Sequence, residues 1–231
     1  LNPLMFYWSA EHDLLDQDNS TLSADFSVIL FKKLELYTEL FIDDLKTEAL
    51  NTGWYGNKWA WLIGLDYVDL PYLTDTELVL EYVRVEPWVY THWSGINRYT
   101  HQGVILGHWL GPNADNLSVQ IKHDFSARFS GGVYVSFERQ GQNYYDPQES
   151  TWVNIGGEVD SCHTSDDPTT KYFLQGVIES KFTLGTTFSF AFSSPGIKQS
   201  NWWKFLQRGR LKLDYQWIRQ NNILLSPTED R

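Results

Sequence analysis

Thiols, positive charge and long apolar runs are all scarce in this chain. A single cysteine, Cys162, permits no internal disulfide, which suits a protein that avoids thiol chemistry in an oxidising compartment. The 18 basic residues stand against 29 acidic ones, a net charge of −11, so sequence-independent binding to nucleic acid is disfavoured. No stretch of 18 consecutive apolar residues occurs, which excludes a membrane-spanning helix. Spanning strands stay open, because they need only about 9–11 residues and hide their apolar side chains at alternate positions. Leu1 opens no signal peptide, so the sequence is expected to be a mature or partial segment.

Aromatic side chains, in contrast, make up 16% of the residues, and alternation runs through the whole chain. Leu117-Ser118-Val119-Gln120-Ile121-Lys122 is the clearest case, followed by Val133–Glu138 and Leu211–Trp217. Period two sets one face of a sheet against an apolar medium and the other against water. Ten strands are expected, near 4–10, 21–31, 33–45, 58–70, 76–90, 116–125, 130–141, 170–183, 186–193 and 209–218. The connections at 31–33, 71–77, 125–130 and 184–186 are short. Those at 11–20, 46–57, 91–115, 142–169 and 194–208 are long and polar, and on this strand count they all leave the same end. Tight turns at one end and long loops at the other mark an outer-membrane barrel; a soluble sandwich is the alternative. The expected fold is all-β, an antiparallel transmembrane β-barrel occupying 1–231 as one domain. Glu81 shares a face with Val83 and Val85, so a bulge is expected there.

The richest stretch is 81–115. It reads Glu81-Tyr82-Val83-Arg84-Val85-Glu86-Pro87-Trp88-Val89-Tyr90-Thr91-His92, then Asn97-Arg98-Tyr99-Thr100-His101-Gln102-Gly103, then Leu106-Gly107-His108 and Leu110-Gly111-Pro112-Asn113-Ala114-Asp115. This string, EY-x-R-x-x-P-x-x-Y-T-H, N-x-Y-T-H-x-G and L-G-H-x-L-G-P-x-x-D, resembles the capsule assembly Wzi family of outer-membrane proteins. Residues 33–45 resemble the strand that precedes it, and the likeness covers about 33–141. It implies a barrel of about eighteen strands in the outer membrane that helps to assemble or retain surface polysaccharide. On that reading the ten strands are the C-terminal portion of a longer chain.

Candidate binding residues follow from the loops. Sugars present flat C–H faces to aromatic rings, and a cation beside the ring meets a uronate carboxylate. Trp93, Arg98, His101, His108 and Trp109 in loop 91–115, and Trp202, Trp203 and Lys204 in the last long connection, are the candidates. Trp54, Tyr55, Trp88, Tyr144, Tyr145 and Trp152 crowd the same end, and a membrane-surface girdle of aromatics also accounts for them. Asn97 and Arg98 could equally stitch the loop to the wall. His92, His101, His108 and Asp115 match no closed zinc spacing, so no metal or cofactor is expected. Charges at Glu35, Glu39, Asp43, Arg84, Glu138, Glu179, Lys181, Arg210, Lys212 and Asp214 are expected to face a polar lumen.

Catalytic groupings are lacking. The pairs Asp43-Asp44 and Asp166-Asp167 are adjacent, so on a strand they point apart. His123-Asp124 and Cys162-His163 have no third partner, and there is no glycine-rich phosphate loop. The expectation is a non-enzymatic barrel whose outer loops bind or organise polysaccharide. Its partners would be outer-membrane lipid and lipopolysaccharide, surface polysaccharide and other envelope proteins, with no nucleic acid. The rivals are a passive channel or structural subunit of an envelope complex, and a barrel enzyme acting on lipid or glycan.

Overall fold

The computed structural model describes residue 19, residues 21–193 and residues 208–221. The strand expected near 4–10 and the candidates Trp202, Trp203 and Lys204 lie outside the described residues. Strands β1 (Leu22–Leu30), β2 (Leu34–Asp44), β3 (Lys58–Leu70) and β4 (Leu73–Val85) lead into two short ones, β5 (Thr100–His101) and β6 (Val104–Ile105). β7 (Ala114–Ser126) and β8 (Phe129–Gln142) follow, then the short β9 (Tyr144–Asp146) and β10 (Thr151–Val153), then β11 (Val177–Ser193) and β12 (Arg208–Asn221). The eight long strands form one antiparallel sheet in the order β1-β2-β3-β4-β7-β8-β11-β12. Among the described residues it is an open sheet with β1 and β12 at its edges, and no closed barrel is formed. β5–β6 and β9–β10 are two-stranded hairpins within the loops.

Alternation sets the two faces. One row of opposed residues crosses all eight strands: Val28, Leu36, Leu65, Leu80, Val119, Val135, Leu184 and Trp217. The next row points the other way and reads Ser27, Tyr37, Gly64, Glu81, Ser118, Ser136, Thr183 and Ile218. The apolar face stays uncovered: Ile63, Leu117, Phe137 and Leu213 are 53%, 44%, 44% and 63% exposed. A contiguous apolar surface of this extent needs an apolar neighbour. On the polar face, Tyr37 lies over Gly64 and its hydroxyl donates to Glu81 Oε2 at 3.1 Å. A Cβ on Gly64 would stand 2.2 Å from that ring, so the close approach requires glycine.

Four expectations are corrected. First, 170–183 and 186–193 are not two strands: β11 runs unbroken from Val177 to Ser193, and Gly185 sits in register between Tyr134 and Gln216. Gly185-Thr186-Thr187 read as a turn, but Gly185 and Thr187 face the inner side, where no bulk is needed, and Thr186 faces outward between Val133 and Tyr215. Second, this merger changes the direction of β12. Long connections 45–57, 86–113 and 143–176 leave one end, whereas Ser193 and Arg208 pair beside the β7–β8 turn, where Ala191 donates to the Arg128 carbonyl at 2.7 Å. The link over 194–207 therefore joins strand ends at the short-turn side, and the long connections do not all share one end. Third, the strand expected to reach residue 90 stops at Val85, and pairing on both sides of Glu81 is regular, with no bulge. Val83 and Val85 point inward because a loop covers them. Fourth, Arg84 shares the outward face with Tyr82 and Trp61 rather than lining the lumen.

Candidate functional site

The core lies under the long-loop end, on the inner face. Ala60, Val83, Val85 and Ala114 from the sheet are buried together with Val89, Tyr90 and Leu110 from loop 86–113. Phe41, Leu62, Tyr99, Ile105 and Val159 pack around them. The loop thus folds inward over the sheet as a plug. Its first turn is strained and pinned: Trp88 and Tyr90 have φ of +72° and +69°. Trp88 N donates to the Gly156 carbonyl at 3.0 Å and Tyr90 N to Asp43 Oδ2 at 2.8 Å. Lys58 donates to the Thr91 carbonyl at 2.8 Å and to Asp44 at 2.7 Å.

Two further side chains tie the three long connections together. Asn113 is fully buried with φ +54°, a conformation asparagine tolerates. Its amide donates to the carbonyls of Gly141 (2.9 Å) and Gln175 (3.1 Å), and its oxygen accepts from Leu174 N at 2.8 Å. Gly141 must be glycine, because a Cβ would stand 2.2 Å from the Gln175 carbonyl oxygen. Lys171 donates to the carbonyls of Asn57 and Pro87 and lies 3.7 Å from Glu86 Oε2. Burial pulls its ammonium down to about 8, against the opposing pull of Glu86. Glu86 also accepts from Arg84 Nε at 2.8 Å, and the Arg84 guanidinium stacks 3.7 Å from the centre of the Phe173 ring.

The sequence candidates divide. Arg98 is structural: Nε donates to the Gly95 carbonyl at 2.9 Å and Nη1 to Asp160 at 2.5 Å, so it joins one long loop to another. His108 N donates to the Tyr90 hydroxyl at 2.9 Å, and its Nδ1 accepts from Leu110 N at 3.2 Å. That acceptor role requires an unprotonated Nδ1, and burial lowers the imidazole below its ordinary value. The free faces belong to Trp93 (67% exposed), Trp109 (61%) and His101 on the β5–β6 hairpin. Lys181 Nζ stands 5.8 Å over the Trp109 ring. Asp115 is engaged on the outward face, accepting from Tyr82 and, through both oxygens, from Arg139. Among the described residues no three His, Cys, Asp or Glu side chains converge as metal ligands.

Residues outside the candidate set complete the surface. Tyr145 and Trp152 face each other across β9–β10, with ring centres 6.0 Å apart at 67°, and Trp152 is 63% exposed. The crowding of aromatics in the long loops, Tyr144, Tyr145 and Trp152 among them, was the available signal. His163 stacks on Tyr55 at 3.5 Å and meets the buried Trp88 edge-on, so those aromatics hold the platform rather than offer a face. Chemically the arrangement is a rigid cap bearing exposed rings with hydrogen-bonding neighbours, suited to holding a polar ligand with flat apolar faces.

The sequence profile of a family described as capsule assembly protein Wzi matches residues 9–192. No curated protein matches the chain.

Proposed function

The chain belongs to the capsule assembly protein Wzi family, and from that premise we propose an outer-membrane barrel whose outward loops bind or organise surface polysaccharide without catalysing a reaction. The observation that carries this reading is the pairing of two features on one sheet. An unbroken apolar row spans eight strands, and a braced cap with exposed tryptophans closes one end. The apolar row meets lipid, since strands of 13–17 residues such as β7 and β11 exceed the roughly 9–11 needed to span a bilayer. The long loops 45–57, 86–113 and 143–176 then face outward, and the short turns, with the 194–207 link on their side, face the periplasm.

Closure needs more than the eight strands. An eight-stranded barrel has an interior just wide enough for side chains, whereas this inner face must accommodate a folded loop with Val89, Tyr90 and Leu110. A wider barrel, of the order of the family's eighteen strands, provides that room.

Trp93, Trp109 and the Tyr145–Trp152 pair supply stacking faces for sugar rings, and His101 is exposed on the β5–β6 hairpin of the loop that carries Trp93 and Trp109. Cells expressing Trp93→Ala, Trp109→Ala and Trp152→Ala are expected to shed polysaccharide that the parent retains, at unchanged barrel abundance. Unchanged retention in the triple variant removes the loop platform as the binding surface.

A further inference from the structure

We propose that the inner wall at the short-turn end holds a second site, a trough that binds carboxylated sugar units. It rests on the barrel reading above only in taking this face as the lumen. The two middle strands place small side chains inward: Ser130 and Gly132 on β8, opposite Ser189 and Thr187 on β11, with Ala191 beyond. The flanking strands carry long cations, Lys122 on β7 and Arg210 and Lys212 on β12, and Arg128 stands at the β7–β8 turn. Small residues between long ones leave a depression. Two adjoining cavities of about 530 and 540 Å³ share Lys122, Ser130, Ser189 and Arg210, and so form one trough.

Its charges are unequally matched. Lys212 lies 3.2 Å from Asp214, which also accepts from the Thr187 hydroxyl at 2.6 Å. Lys122 holds Glu77 loosely, at 3.9 Å. Asp75 and Asp124 also line the wall. Arg128 and Arg210 have no carboxylate within 4 Å among the described residues, in a protein that carries −11 overall. A guanidinium takes a carboxylate through two parallel hydrogen bonds. Gln120, Tyr134, Ser189 and Gln216 offer partners for sugar hydroxyls beside it. The neighbouring inner face of β1–β4 carries Asp25, Glu35, Glu39, Asp66 and Glu81, and so directs an anion toward this sector. A bare anion leaves the hydroxyl partners unused, and a neutral sugar leaves the guanidinia unmatched.

Calorimetric titration of the full-length protein in detergent with trigalacturonate tests the site, with its neutral galactose counterpart and inorganic phosphate as comparisons. The trough predicts saturable trigalacturonate binding, weakened at least tenfold by Arg128→Gln with Arg210→Gln, unchanged by Trp109→Ala, and displaced by neither comparison ligand. No saturable binding, parental affinity in the double variant, or equal competition by phosphate overturns it. The two sites fail separately. Normal uronate binding in the arginine double variant, with polysaccharide retention lost in the tryptophan variants, removes the trough alone. The converse removes the loop platform alone.

Discussion

Asn113 makes three hydrogen bonds from one side chain, one to β8 and two to the Leu174-Gln175 segment. Replacing it with alanine leaves the Leu174 N–H and two carbonyls without partners in a buried place, at a cost of about 3 kcal/mol by the usual penalty for unsatisfied groups. Asn113→Ala is therefore expected to lower the unfolding temperature by several degrees and to expose the loops to protease, while the strands persist. Lys171 gives a pH signature. Its ammonium holds its proton less tightly when folded, at about 8 against an ordinary 10.5. The folded state therefore gains stability from this group as pH rises from about 8 to 10.5, and has least of it below 8. Denaturation midpoints measured across that window should rise in the parent relative to Lys171→Met, and parallel curves would show that burial leaves this lysine unperturbed. Neither residue was singled out from sequence. An asparagine after Gly111-Pro112 reads as turn chemistry, and Lys171 falls in the strand expected near 170–183 with no role of its own, because the carbonyls they meet come from segments 28 to 114 residues distant.

At the scale of the strand, period two made most of the sheet legible. The faces of β2, β3, β7 and β8 fall where alternation places them, because each of these strands has one apolar and one largely polar face. The misreadings have one cause, which is that the inner surroundings change along a strand. β4 passes from a polar lumen at Glu81 to the plug at Val83 and Val85, so an inward position looks polar low on the strand and apolar high on it. β11 carries Gly185 and a pair of threonines inward and beside it, and that composition resembles a turn. The lipid contact proposed for the outer row gives a sharper test. Val119→Arg, at the middle of that row, is expected to cost about 2–4 kcal/mol of folding stability in bilayers, as charges do at the membrane midplane. Ser118→Arg, one residue along and facing inward, should cost much less. Equal costs would mean that both faces see the same medium.

For the whole molecule, the inward fold of loop 86–113 decides what the lumen of the proposed barrel does. The plug fills the inner face at the long-loop end with Val89, Tyr90 and Leu110, so the protein should conduct poorly in planar bilayers. Deleting 89–110, which removes Val89, Tyr90 and Leu110, should raise the conductance several-fold, whereas a large steady current from the parent would make it an open channel. The candidate surface was partly legible. Trp93 and Trp109 offer exposed faces as residue type suggested, while Arg98 and His108 hold loops together, because a compact loop uses its own polar side chains to satisfy its backbone. In the proposed barrel the long connections 45–57, 86–113 and 143–176 face outward, and labelling of intact cells tests this directly. With Cys162 replaced by serine, Glu149→Cys in a long loop and Ala127→Cys in the β7–β8 turn are each exposed to a membrane-impermeant maleimide. Labelling of Glu149→Cys on intact cells, with Ala127→Cys labelled only after permeabilisation, is the predicted result. The reverse pattern would contradict the account.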